Sequence, residues 1–149
     1  MIREGGKLPE NVQQKIPNLV QIVRGDIDLI ALYAFGSLTH DVLKPLSDLD
    51  FGMLLSDRMD KKLRFQKHLD LIGLFTDFFK TEEIDLVNMR DVSPRIAFNI
   101  LKTGKLLFCT DKSALTDYRE HLVRTYLDIK YLRDTFDMVF LEGIGYRHG

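Results

Sequence analysis

The most constraining feature of the sequence is an apolar run of strand length, which extends from Asp28 to Phe35 and ends at a glycine. A strand with one face in water alternates between apolar and polar residues, whereas this run (DLIALYAF) does not. It is also far shorter than the roughly 18 apolar residues that cross a membrane. We therefore predict a strand buried on both faces, at the centre of a sheet that helices cover.

The rest of the chain alternates between helical and strand patterns. Apolar residues recur every three or four positions in the predicted helices, and short apolar runs bounded by turn residues mark the strands. We predict helices at 10–24, 38–43, 60–80, 93–103 and 112–141, and strands at 28–35, 48–55, 83–89 and 105–109. Pro17 interrupts the first helical pattern, which predicts two short helices or a kinked one. The fold class is mixed α/β, with a small sheet of about four strands covered by helices.

The last helical pattern is much longer than the ~11–12 residues of an average helix. It therefore predicts a helix that is broken or that projects past the domain. With 149 residues, of which 45% are hydrophobic, the chain suits a single domain over 1–149. We place its core at about 15–110 and the C-terminal helix at about 112–142.

Charge and cysteine content limit the classes of partner and the compartment. The net charge is −1 and no long Lys/Arg block is present, so we expect no stable nucleic-acid binding and no template-directed polymerisation. The N-terminal segment lacks the apolar stretch of a secretion signal, and no run is long enough to span a bilayer. Cys109 is the single cysteine, so no internal disulfide is possible. We expect a cytoplasmic protein without a membrane partner.

The candidate site combines a glycine–serine pair with two aspartates. Gly36 permits a tight turn and the close approach of a phosphate, and Ser37 adds a hydroxyl and a backbone N–H. If Leu38 begins a helix, the N–H groups of its first turn also favour an anion. Asp48 and Asp50 are two residues apart in a strand, so they project from the same face and suit Mg²⁺. Each motif alone is usually structural, and their joint occurrence is what favours a metal–phosphate site.

A third carboxylate interrupts a later apolar strand. Asp85 lies within Ile84–Val87, where a charge is costly unless it has a partner. If strand 83–89 lies beside strand 48–55, Asp85 completes the metal site or acts as a base towards an attacking hydroxyl. A surface strand charge remains the alternative.

Together these residues resemble the signature of the minimal nucleotidyltransferases in the DNA polymerase β superfamily, which is Gly-Ser, then Asp-x-Asp, then a carboxylate on a neighbouring strand. The matching positions are Gly36, Ser37, Asp48, Asp50 and Asp85. The resemblance covers about residues 15–142, and the long last helix is similar to that of the antitoxin members of MNT type. It implies that the glycine–serine pair holds the triphosphate of ATP or another NTP. It also implies that Asp48, Asp50 and Asp85 hold Mg²⁺, with Asp85 alternatively serving the acceptor.

The resemblance further implies an activity and a partner. Antitoxins of this type pair with HEPN-type ribonuclease toxins and adenylylate a toxin tyrosine, so we expect AMP transfer, or transfer of another NMP, within a hetero-oligomer. One departure is that many members carry Ala-Arg-Gly shortly after Gly-Ser, where this chain has Thr39-His40-Asp41. A histidine binds phosphate less strongly than arginine does at neutral pH.

Two alternatives stay open. An antitoxin with weak chemistry would neutralise its partner by binding alone, for which the long helix would supply a surface with Tyr118, Tyr126, Tyr131 and Phe136. Transfer onto a small molecule, such as an aminoglycoside, usually requires a second domain, and the sequence shows none.

Overall fold

A computed structural model describes residues 12–39 and 48–143 of the chain. In this part, helices and strands run in the order α1 Val12–Val23, β1 Leu29–Phe35, β2 Leu49–Leu55, α2 Lys61–Phe79, β3 Ile84–Asn88, α3 Pro94–Thr103, β4 Lys105–Cys109 and α4 Lys112–Gly143. The mixed α/β prediction is confirmed. A four-residue 3₁₀ turn, Gly36–Thr39, stands where the predicted helix 38–43 begins, and the remainder of that helix lies outside the described residues.

Local signals set several of the helix ends. The Asp60 carboxylate accepts a hydrogen bond from the Leu63 N–H and caps α2. Ser93 caps α3 in the same way, with Pro94 in the first turn, as the sequence predicts. At Pro17, α1 continues as one helix, so the predicted alternative of two short helices is wrong. Burial of its apolar face against the sheet offsets the hydrogen bond that proline cannot make.

The four strands form one mixed sheet in the order β3-β2-β1-β4. β2 is parallel to β3, and β1 is antiparallel to both of its neighbours. All residues of β1 except Phe35 are buried, which confirms the prediction of a strand covered on both faces. The central strand therefore ends beside the start of β2, at the Gly36 turn.

The two faces of the sheet carry separate apolar cores. On one face α1 and α2 pack against β2, where the rings of Phe51, Phe75 and Phe79 are in mutual contact. On the other, Tyr33 and Ile100 belong to a core contributed by α3 and the start of α4. We call this second side the α3/α4 face. It is the side on which the candidate site lies.

The first half of α4 is fixed to the domain. Leu122 is buried, and the hydroxyl of Tyr118 donates a hydrogen bond to the Met89 carbonyl, with 2.9 Å between the oxygens. Arg119 also links α4 to β1, because its guanidinium donates a hydrogen bond to the hydroxyl of Tyr33 at 2.7 Å. These contacts orient the helix across the α3/α4 face.

The second half of α4 leaves the domain without a break. From residue 127 to residue 139, its large apolar side chains are between 46% and 69% exposed, and we call them the α4 apolar surface: Leu127, Ile129, Tyr131, Leu132, Phe136, Met138 and Val139. Of the two outcomes predicted for this segment, projection past the domain is the correct one. Among residues 12–39 and 48–143, no helix has the length and apolar character needed to span a membrane.

Candidate active site

Three aspartates lie at one end of the sheet, on the α3/α4 face. Phe51 is buried on the α1/α2 side, so strand alternation turns Asp50 to the α3/α4 face. Across the parallel β2–β3 ladder, Asp85 is paired in register with Asp50. Asp48 is exposed and precedes β2 by one residue, so the same alternation applies to it. The predicted contact between these two strands is confirmed.

Asp50 is the carboxylate whose protonation is most perturbed. Partial burial, followed by the negative charges of Asp85 and Asp48, raises its pKa from the usual 3.8 to about 6. Like charges in a partly desolvated position disfavour the ionised form. The site therefore favours any cation or proton that reduces this repulsion.

Gly36 lies directly beside Asp50. The preceding residue, Phe35, is the register partner of Asp50 in the β1–β2 ladder. Gly36 has a positive φ of 59°, and a Cβ atom built on it would overlap the Asp50 carboxylate. Only glycine satisfies both conditions, so the turn after β1 and the aspartates of β2 form one compact group.

Several sequence predictions about phosphate binding reach beyond the described residues. The backbone of Ser37 belongs to the 3₁₀ turn, but its side chain lies outside the described part. His40, Lys44 and Ser47 lie outside it as well. The contact of Ser37 with a phosphate therefore stays a prediction, as does any contribution of His40.

The carboxylates suit a cation that is shared with a substrate. Within the described ranges, no three Asp, Glu, His or Cys side chains form a group that would hold a metal unaided. Mg²⁺ in phosphate-handling sites is commonly held by one or two carboxylates and completed by phosphate oxygens and water. Asp50 and Asp85, adjacent in register and mutually repelling, provide such a partial set of oxygen ligands. The assignment of Asp48, Asp50 and Asp85 as metal ligands stays a prediction.

The sequence did not predict the cleft that opens next to this group. It has a volume of about 630 Å³ and extends from Phe35 along α3 to Tyr126 of α4. The rings of Phe98 and Tyr126 are stacked in its wall, with centroids 4.2 Å apart and planes 9° from parallel. These two residues come from separate helices, and no periodicity in the sequence relates them.

A family comparison matches most of the described sheet and its helices. The model of the family "Polymerase beta, Nucleotidyltransferase" matches residues 17–113, which is more than half of the chain. This range contains Gly36, Asp48, Asp50 and Asp85. Among curated proteins, none matches the chain significantly.

Solved structures share the fold. A chain of a toxin–antitoxin complex with AMP-PNP is 22% identical, has a TM-score of 0.60, and the match covers 84% of this chain and 98% of that one. A chain of the toxin–antitoxin MntA-HepT is 21% identical with a TM-score of 0.52, covering 89% and 98%. A chain from the complex of a tri-AMPylated Shewanella oneidensis HEPN toxin with MNT antitoxin is 22% identical with a TM-score of 0.53, covering 89% and 99%.

Proposed function

The chain belongs to the polymerase β nucleotidyltransferase family, and from that premise we propose that it transfers AMP, or another NMP, from a Mg²⁺-bound nucleoside triphosphate onto a hydroxyl group. The observation that carries the proposal is the in-register pairing of Asp50 with Asp85, directly beside the Gly36 turn. This arrangement places the paired carboxylates directly against the backbone of the turn, because the Asp50 carboxylate occupies the space that a side chain at position 36 would fill. A phosphate bound by the N–H groups of this turn would therefore lie close to a cation held by the carboxylates.

Each residue has a role that follows from its position. Gly36 leaves room for the Asp50 carboxylate beside the turn that would take the triphosphate, and Asp48 and Asp50 would hold the cation. Asp85, on the far side of β2 from Gly36, faces the incoming acceptor. The acceptor oxygen attacks the α-phosphorus, the bond from phosphorus to the pyrophosphate oxygen breaks, and the hydroxyl proton passes to Asp85. A Mg²⁺ ion held by these carboxylates would neutralise charge that develops on the phosphate oxygens.

We propose that the acceptor is a tyrosine of a HEPN-type toxin and that the chain acts as its antitoxin. Support comes from the sequence resemblance and from the solved structures of the same fold, which are toxin–antitoxin complexes, one with a tri-AMPylated HEPN toxin and one with AMP-PNP. The chain spans nearly the whole length of the chains it matches in those complexes. A stable hetero-oligomer follows from this role.

The test is transfer of label from α-³²P-ATP to a co-expressed HEPN-type partner in the presence of Mg²⁺. We expect labelling of the partner by the unaltered chain and by Asp77→Asn, a control at an exposed position on α2. We expect no labelling by Asp50→Asn or by Asp85→Asn. Labelling that persists in Asp50→Asn would refute the proposed site.

A second function, neutralisation by binding alone, is favoured by the α4 apolar surface. Exposed apolar side chains along a projecting helix suit a partner that covers them. Replacing Leu132 and Phe136 by serine should then abolish the complex in size-exclusion chromatography, while Asp50→Asn leaves it intact. If Asp50→Asn still neutralises the toxin in growing cells, binding accounts for the function and transfer does not.

A further inference from the structure

We propose that the cleft between Phe35, α3 and Tyr126 is the site of the nucleoside part of the substrate, and that the stacked Phe98 and Tyr126 rings receive its base. The inference rests on the proposed function, because it assigns a substrate subsite next to the same carboxylates. It adds residues that neither the sequence pattern nor the family signature contains.

The position of the cleft distinguishes the nucleotide from the acceptor. In the sheet order β3-β2-β1-β4, Asp50 lies on β2, with Asp85 on one side and Phe35 on the other. The cleft opens on the Phe35 side, next to the Gly36 turn that would take the triphosphate. An acceptor whose proton passes to Asp85 approaches from the opposite side. The cleft therefore lies on the side of Asp50 where the nucleotide would bind, and not on the side of the acceptor.

The shape of the cleft suits a nucleoside. Its volume of about 630 Å³ lies within the ~300–1,000 Å³ in which proteins bind small ligands. Phe98 and Tyr126 are each only partly buried, and their rings are nearly parallel. A planar base can extend such a stack, as bases do on aromatic side chains in nucleic-acid sites.

The charges of the cleft suit the phosphates. Arg95, Asn99 and Lys102 line the cleft on α3. Gly104, which follows α3, approaches the Ala34 carbonyl at the end of β1, so the last turn of α3 lies at the carboxylate end of the sheet. Of the two cations that line the cleft, Lys102 therefore lies nearer to the carboxylate end of the sheet, and Arg95 lies about 10 Å further along the helix. Asn99, between them, offers both a donor and an acceptor to the sugar or base.

Binding measurements without a partner test this assignment. The probes are α,β-methylene-ATP, which cannot release pyrophosphate, and inorganic triphosphate, each with Mg²⁺ and titrated by calorimetry. Tyr126→Leu should weaken binding of the nucleotide about tenfold and leave triphosphate unchanged, because only the base loses a stacking partner. Lys102→Met should weaken both probes about fivefold to tenfold, since it removes a charge that contacts phosphate.

Matched controls separate these effects from general damage. Phe65→Leu replaces an exposed ring on α2 and Lys112→Met an exposed lysine on α4, and both variants should bind like the unaltered chain. Phe98→Leu provides a second test of the stack if Tyr126→Leu does not fold, as judged by circular dichroism and thermal melting.

Several results would overturn the inference. Unchanged nucleotide affinity in Tyr126→Leu and Phe98→Leu would do so, as would an equal loss of triphosphate binding. Variants that bind nucleotide normally but transfer poorly at saturating nucleotide would assign the cleft to the acceptor instead. If the expected binding pattern appears without any transfer, the proposed function fails and the subsite stands. Failure of the unaltered chain to bind the nucleotide would overturn both.

Discussion

Replacing Asp50 with asparagine is expected to stabilise the folded protein at neutral pH, although it removes a group that we assign to catalysis. Asparagine has nearly the same shape and carries no charge. In the folded chain, partial burial and the charges of Asp85 and Asp48 raise the pKa of Asp50 to about 6. Each pKa unit corresponds to about 1.4 kcal/mol. Because Asp50 is only partly buried, solvent screening reduces the expected gain in the free energy of unfolding to about 1–2 kcal/mol.

The direction of the pKa shift sets the pH at which this gain is seen. Below about pH 4 the Asp50 carboxyl is protonated in both the folded and the unfolded chain, so its replacement has little effect. Between about pH 4 and pH 6 the unfolded chain releases the proton while the folded chain retains it. The folded state then binds more protons, and its stability falls as the pH rises. Above about pH 6 the penalty is complete, and Asp50→Asn removes it.

Urea unfolding near pH 4 and near pH 7.5 measures this difference. The control is Asp128→Asn on α4, where the carboxylate is exposed. Asp50→Asn should raise the unfolding free energy at the higher pH only, and the control should change it little at either pH. Equal gains at both pH values, or no gain near neutrality, would refute the electrostatic reasoning. So would an equal gain in the control.

Three further predictions concern the surrounding structure. Gly36→Ala should lower the free energy of unfolding by about 2–4 kcal/mol, because alanine disfavours the positive φ and its Cβ overlaps Asp50. In an Asp50→Ala background, urea unfolding should show a smaller loss, because only the part due to the overlap is removed. Tyr118→Phe should cost about 1 kcal/mol in thermal melting, because the Met89 carbonyl loses its donor, and an unchanged Tm would contradict a role for this hydrogen bond. Phe75→Ala should cost about 3–5 kcal/mol in urea unfolding, and a loss below about 1 kcal/mol would show that the ring does not pack as described.

The sequence predicted those parts of the fold that depend on local signals. The apolar run that predicts β1 and the Ser93–Pro94 pair that predicts the start of α3 are each contained in a short stretch of sequence. The structure confirms both predictions. The pairing of β2 with β3 was predicted only conditionally, because Asp50 and Asp85 are far apart in the sequence and register is set by tertiary packing.

Other features depend on how distant elements meet. The cleft exists because α3 and α4 approach each other, which stacks Phe98 on Tyr126, and a hydrophobic pattern does not encode that distance. The continuity of α1 through Pro17 likewise reflects burial against the sheet rather than intrinsic helix propensity. Sequence reasoning is therefore more informative about the carboxylates than about the surfaces that surround them.

The projecting end of α4 also fixes a distance from the domain, because a continuous helix has a set length. Leu122 is the last buried residue among the α4 side chains that the structure describes, and from there to the end of α4 at Gly143 the helix extends about 30 Å. A partner bound near the tip would thus be held at a fixed distance and orientation from the carboxylates. That distance and orientation would decide which hydroxyl groups of the partner reach the carboxylates. Deleting one residue in this stretch would rotate everything beyond it by about 100°, whereas deleting seven residues, about two turns, would shorten the helix by about 10 Å and rotate its end by only about 20°.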